Sequence, residues 1–206
     1  AKAHNNLGNT LKELGRFDDA VASFQKAIAL KPDFSEANYN LGNALQDLGS
    51  LDAAAASYYK AISHKPDYAI AHNNLGTALN KLGRLEDAVA SFEKAIALKP
   101  DFSEAHNNLG NVLKDLGRLE DAVASYRKAL AIKSDFSGAE RNLLYVMLNV
   151  PGLTPEELFT EHLRFSEKHS QGVARPAEDL TNDPTPDRRL RVGYLSSDFR
   201  NHPVGL

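Results

Sequence analysis

The sequence predicts an all-α chain, a solenoid of helical hairpins followed by a short β-prone stretch. Three observations predict it. Gly8, Gly42, Gly76 and Gly110 recur every 34 residues, and Ala20, Ala54, Ala88 and Ala122 keep the same step. Inside each unit apolar residues fall at helical spacing, with Leu7, Leu11 and Leu14 on a first helix and Ala20, Phe24, Ala27 and Ile28 on a second. Punctuation is periodic as well: Gly15, Gly49, Gly83 and Gly117 form one set, and Pro32, Pro66 and Pro100, with Ser134 in the fourth slot, form another. A fixed period of this size marks stacked supersecondary units.

Taken in order, each element has a physical reason. Gly15 supplies the left-handed residue that ends the first helix, and Pro32 cannot continue the second. Gly8 and Ala20 are small where the two apolar stripes must meet. One such hairpin buries too little surface to stand alone, so residues 1–136 are expected to stack as four repeats around a groove. A fifth first helix follows in decayed form: Ala139, Leu143, Met147 and Val150 hold apolar slots, while Leu144 stands where glycine stood. Pro151 breaks it, and Thr154, Pro155 and Glu157 open a further helix through a capping box, running to about Ser170 with Leu158, Phe159, Leu163 and Phe165 apolar. Residues 137–170 thus read as a decayed fifth repeat and a capping helix.

From 171 to 187 the composition turns to proline and polar residues, which is a linker. In 188–206 the run Leu190, Val192, Tyr194 and Leu195 is β-prone, and a lone strand would leave its edges open, so this stretch is expected to begin another domain. The first residue is Ala1 and the only methionine is Met147, so the chain reads as a fragment.

Composition excludes several functions. The 24 basic and 27 acidic side chains leave a net charge of -3, with no blanket basic field for binding nucleic acid through its phosphates. No apolar run approaches the roughly 18 residues of a membrane span, and the first residues lack the order of a signal peptide, so a cytoplasmic protein is expected. Absence of cysteine removes disulfides, thiolate zinc sites and cysteine nucleophiles. His4, His72 and His106 come from equivalent points of separate repeats, which stack about 8–10 Å apart, too far to share a metal ion. His162 and His169 lack a ligating spacing, so no metal is expected. The carboxylate pairs Glu120/Asp121 and Glu156/Glu157 stand in first turns, where they suit the helix dipole. Phe24, Tyr58, Phe92 and Tyr126 share one repeat position and read as core. Neither GxGxxG nor GxxxxGK[ST] occurs, so no cofactor is expected in this stretch.

The 34-residue unit resembles the tetratricopeptide repeat, which implies a right-handed superhelix. The array, the capping helix and then RLRVGYLSSDFRNHPVG together resemble the bacterial form of the protein O-GlcNAc transferase family, tetratricopeptide-bearing glycosyltransferases of the GT-B class. That resemblance implies transfer of N-acetylglucosamine from UDP-GlcNAc to serine or threonine of acceptor proteins held in the groove. His202, in the NHP element, would lie beside the reaction centre of the parent enzyme, where imidazole suits a proton acceptor. The fragment itself is expected to be non-catalytic, because the lobe expected to hold UDP lies beyond Leu206.

The same resemblance implies that the asparagines at the sixth repeat position, Asn6, Asn40, Asn74, Asn108 and Asn142, line the groove and grip the backbone of an extended acceptor. A carboxamide carries one acceptor and two donors, enough to pair with any peptide bond. A solvated face is the competing reading, and repeats one and three share 27 of 34 residues from His4 to Ala37 against His72 to Ala105, so their agreement is partly inherited. Positions two, six, nine and thirteen share a helix face, and their charge changes from Glu36, Asn40, Asn43 and Asp47 to Ile70, Asn74, Thr77 and Lys81. The alternative function is a stand-alone tetratricopeptide scaffold for partner proteins, with self-association through the repeat surface as a further possibility.

Overall fold

A computed structural model of the chain describes residues 1–170, with side chains to 168. The described residues form α-helices and no strand: α1 (Lys2–Glu13), α2 (Phe17–Leu30), α3 (Ser35–Asp47), α4 (Leu51–His64), α5 (Ala69–Lys81), α6 (Leu85–Leu98), α7 (Ser103–Asp115), α8 (Leu119–Ile132), α9 (Ser137–Met147) and α10 (Pro155–Ser170). The predicted linker at 171–187 and the predicted start of a further domain at 188–206, His202 included, lie outside the described residues.

The turn inside each hairpin is set by a glycine. Gly15, Gly49, Gly83 and Gly117 have φ of 73°, 76°, 74° and 75°, the left-handed region that a side chain disfavours. Gly15 N–H donates to the Lys12 carbonyl and Arg16 N–H to the Leu11 carbonyl, which satisfies the end of α1 before α2 begins. Arg16, Arg84 and Arg118 then pair with Asp19, Asp87 and Asp121 across the first turn of the even helices.

Even helices end in register whether or not proline follows. α8 stops at Ile132 although Ser134 replaces the proline, because Lys133 is extended and Phe136 N–H closes a turn on its carbonyl. Lysine also reaches over an aromatic ring in each connection, at 5.5 Å for Lys31 on Phe34 and 4.8 Å for Lys65 on Tyr68. Proline therefore reinforces an ending that the turn itself makes.

Closure of each hairpin rests on one contact. A Cβ added at Gly8, Gly42, Gly76 or Gly110 would stand 2.5, 2.6, 2.8 or 2.6 Å from the ring of Phe24, Tyr58, Phe92 or Tyr126. These four aromatic side chains are buried, as the sequence predicts. Each ring lies flat where a glycine clears the facing helix, and the small Ala20, Ala54, Ala88 and Ala122 are wholly buried around it. Every odd helix also touches the next odd helix, whereas among the described residues no even helix approaches the next even one. The array is thus narrower along its odd helices, which form the inner face, and wider along its even helices, which form the outer face.

The last hairpin is built differently. Ala139, Leu143 and Met147 are buried as predicted, and α9 packs on α8. α10 begins with the predicted capping box: Thr154 N–H donates to Glu157 Oε2 at 2.9 Å and Glu157 N–H to Thr154 Oγ1 at 3.2 Å. Yet among the described residues α10 has no close backbone approach to any helix. Its attachment is by side chains: Leu158 reaches the core, Arg127 pairs with Glu161 at 3.3 Å, and Lys168 pairs with Glu140 and donates to the Ser134 carbonyl. Leu130, Leu143, Leu144 and Phe165 line a cavity of about 260 Å³ left between these helices. Phe159 and Leu163, read from the sequence as part of the apolar face, are 66% and 44% exposed.

Candidate functional site

The inner face carries a seam of side-chain amides that crosses from each odd helix to the next. Position six of one repeat meets positions five and nine of the repeat before it, because these three points lie on facing sides of adjacent odd helices. Asn40 Nδ2 donates to Asn5 Oδ1 at 3.0 Å, and Asn108 Nδ2 donates to Asn73 Oδ1 at 3.1 Å. Asn74 Nδ2 donates to Tyr39 Oη at 3.1 Å and to Asn43 Oδ1 at 3.0 Å. Asn142 Nδ2 donates to Asn107 Oδ1 at 3.2 Å and to Asn111 Oδ1 at 3.0 Å.

The junctions alternate. Where the buried aromatic is tyrosine, its hydroxyl passes the glycine and donates to position nine, Tyr58 to Asn43 and Tyr126 to Asn111, both at 2.8 Å. The following asparagine, Asn74 or Asn142, then spends both amide protons on the seam. Where the aromatic is phenylalanine, Phe24 or Phe92, the following asparagine has one seam bond. Burial raises the hydroxyl pKa of Tyr58 and Tyr126, so both stay protonated donors across the accessible pH range. Tyr68, its ring tilted at 44° to that of Tyr39 with centroids 5.0 Å apart, is pushed up to about 12 by burial and by Tyr39.

Of the five asparagines the sequence singles out, Asn40, Asn74, Asn108 and Asn142 are therefore brought together with neighbours on the seam and half-buried, while Asn6, on the first helix, is exposed. Sequence reasoning missed their partners at positions five and nine. The sequence carried little signal for them: Tyr58 and Tyr126 occur with Asn43 and Asn111, but Phe24 occurs with Asn9 as well, and only Phe92 occurs with Thr77.

Beside the seam lie groups open to a ligand. Lys12 pairs with Asp47 at 3.3 Å across α1 and α3, Ile70 is 45% exposed, and Lys81 and Glu104 are exposed. The wall therefore offers alternating charge, one apolar point and amide oxygens, a surface suited to holding a polypeptide. His72 and His106 turn to the connections before their helices. His72 Nε2 donates to the Pro66 carbonyl and His106 Nε2 to the Pro100 carbonyl, each at 3.1 Å, which ties the ring to the connection before its own helix. Burial lowers the His72 pKa below its ordinary value despite that bond. Among the described residues no cluster of histidine and carboxylate has the makings of a metal site. No helix there is long and apolar enough to cross a membrane.

Comparison with known proteins settles the family. A TPR repeat model matches residues 8–49, 42–83 and 76–117, and a tetratricopeptide repeat model matches 103–136. The chain belongs to the tetratricopeptide repeat family. No curated protein matches it. Among solved structures this tetratricopeptide repeat protein is similar to MamA, with 25% identity over 83% of this chain and 94% of that one and a TM-score of 0.75. It is also similar to PilF of Pseudomonas aeruginosa, with 21% identity, coverage of 83% and 75%, and a TM-score of 0.72. A third is YrrB, described as a TPR protein with an unusual peptide-binding site, with 21% identity, coverage of 82% and 84%, and a TM-score of 0.65. These likenesses establish the solenoid fold and give the resemblance to the protein O-GlcNAc transferase family no support.

Proposed function

We propose that this tetratricopeptide repeat protein is a protein–protein interaction scaffold whose inner face holds an extended polypeptide. The observation that carries the proposal is the inner wall itself, a regular row of amides flanked by exposed charge and by Ile70. Most seam N–H groups are already committed between repeats, so the wall recognises a peptide mainly through oxygen: the Asn40 and Asn142 Oδ1 atoms and neighbouring carboxylates accept peptide N–H groups. Asn6 adds a whole carboxamide. The description of YrrB as peptide-binding supports the same kind of ligand, on fold alone. A peptide array against the wild type and Ile70→Glu with Lys81→Glu tests it. Binding should fall with the double variant while the melting curve stays put; unchanged binding contradicts the inner face as the site.

A second reading rests on a separate observation, the RLRVGYLSSDFRNHPVG stretch. In it the inner face would present serine or threonine acceptors to an O-GlcNAc transferase-like enzyme using UDP-GlcNAc, with His202 near the reaction centre. The repeat matches favour the scaffold, which needs no downstream chemistry. Assay of the longest reading frame for sugar transfer separates the two, and a frame without transfer removes the second.

A further inference from the structure

The inner wall is regular in its amides and uneven along one edge. Position two of successive odd helices holds Lys2, Glu36, Ile70, Glu104 and Gly138, a row one helical turn from the seam asparagines at position six. Glu36 and Glu104 are exposed, and among the described residues neither forms an ion pair. Their hydrogen bonds come from neutral donors, Asn5 Nδ2 to Glu36 at 3.2 Å and Ser103 Oγ to Glu104 at 3.0 Å, so both keep their charge. The lysines of the connections, Lys31, Lys65 and Lys99, lie over the rings of Phe34, Tyr68 and Phe102. Each is matched by an aspartate two residues on, Asp33, Asp67 or Asp101, so the connections add no net charge and the row sets the sign. Between the two glutamates Ile70 is the apolar point, and the register in which Asn5 meets Glu36 sets Tyr39 beside it. Asn74 holds the Tyr39 hydroxyl, so that ring is fixed.

Resting on the inner face as a polypeptide site, we infer that this row selects the ligand: a polyproline II segment with an aliphatic residue against Ile70 and Tyr39 and a basic residue three positions to either side, against Glu36 and Glu104. The spacing decides the conformation. Adjacent odd helices touch and share the seam hydrogen bonds, so they stand about 8–10 Å apart. A polyproline II helix turns once in three residues and about 9.3 Å, which brings every third side chain to the next member of the row. A β-strand returns to one side after about 6.6 or 13 Å and falls out of step. An α-helix matches at every seventh residue but spends its N–H groups internally, whereas polyproline II leaves them for the seam oxygens. Opposite charge fixes the flanking residues. Lys2 on one side and Gly138 on the other confine the acidic pair to α3 and α7.

The test uses the full 206-residue chain and two labelled peptides of one composition, read by fluorescence anisotropy. KPSLPSK places its lysines three residues from leucine, and PKSLSKP places them two away. The first should bind about tenfold or more tighter than the second. Glu36→Lys with Glu104→Lys should abolish that advantage and favour EPSLPSE instead, with the melting curve unchanged because both side chains are exposed. Ile70→Ser should weaken KPSLPSK and leave its serine-for-leucine version unaffected. Equal binding of the two peptides, each displacing the other, overturns the inference and leaves the scaffold reading standing. A preference for KPSLPSK that survives the charge reversal also overturns it. Silence of both peptides up to millimolar concentration does the same, and the scaffold reading falls with it only if the broader peptide array is silent too.

Discussion

The hairpin α7/α8 and the hairpin α9/α10 follow one another in the chain and close by different means. In the first, Gly110 lets the Tyr126 ring lie against α7, the hydroxyl continues to Asn111, and the two helices meet along their length. In the second, Leu144 fills the glycine position, the residue at the aromatic position is the exposed Thr160, and α10 stands off with a cavity behind it. Salt bridges from Arg127 and Lys168 hold α10 where a ring would have held it. Pairing of a glycine with an aromatic is what makes a repeat hairpin close, and both partners are lost together. The same ring, when it is tyrosine, also links the core to the inner seam, so closure and the proposed binding wall share a part.

Substitutions can break this comparison in order of size. Phe92→Ala should cost about 3–5 kcal/mol by leaving a cavity in a sealed hairpin. Phe165→Ala, beside an existing cavity, should cost under about 2 kcal/mol. Urea unfolding measures both, and equal losses would erase the distinction between the hairpins. Gly76→Ala should cost about 1–3 kcal/mol, since its Cβ meets the Phe92 ring at 2.8 Å. Leu144→Ala should cost under about 1.5 kcal/mol, because Leu144 is only half-buried and borders an existing cavity.

Smaller effects sharpen the account of the seam. Asn142→Ala removes two seam bonds and should cost about 1–2 kcal/mol, whereas Asn6→Ala, at an exposed side chain outside the seam, should stay within about 0.5 kcal/mol. Thermal melts of the two variants make the check. Lys168→Ala should change global stability by no more than about 1 kcal/mol, yet speed amide exchange across 155–168. The smallest effect is on pH. His72 is held neutral by burial, its pKa below the ordinary value of about 6.5. On acidification the unfolded chain binds that proton first, so stability is complete above about pH 6.5 and declines as pH falls toward the lowered folded value. His72→Gln should flatten that part of the stability profile, and an unchanged profile would remove His72 as its cause.

Much of the fold was legible because it is periodic. Gly15 and its equivalents announce left-handed turns, Phe24 and its equivalents the core, and Thr154 with Glu157 the start of α10. Periodicity assigns a residue to a helix face and says nothing of which amide it meets. For that reason Asn40, Asn74, Asn108 and Asn142 could be placed in one row from the sequence while their bonds to Asn5, Asn43, Asn73 and Asn111 could not. The exposure of Phe159 and Leu163 was equally hidden, since an apolar stripe does not tell how far the helix bearing it stands from its neighbours.

The measurement that bears most directly on the inner face as a polypeptide site is hydrogen exchange of the full chain with and without a pool of peptides carrying proline at every third residue, a spacing that keeps them out of the helix. The scaffold account predicts added protection in α3, α5 and α7, with little change in α4, α6 and α8. Protection confined to the even helices, or none at saturating peptide, would contradict it.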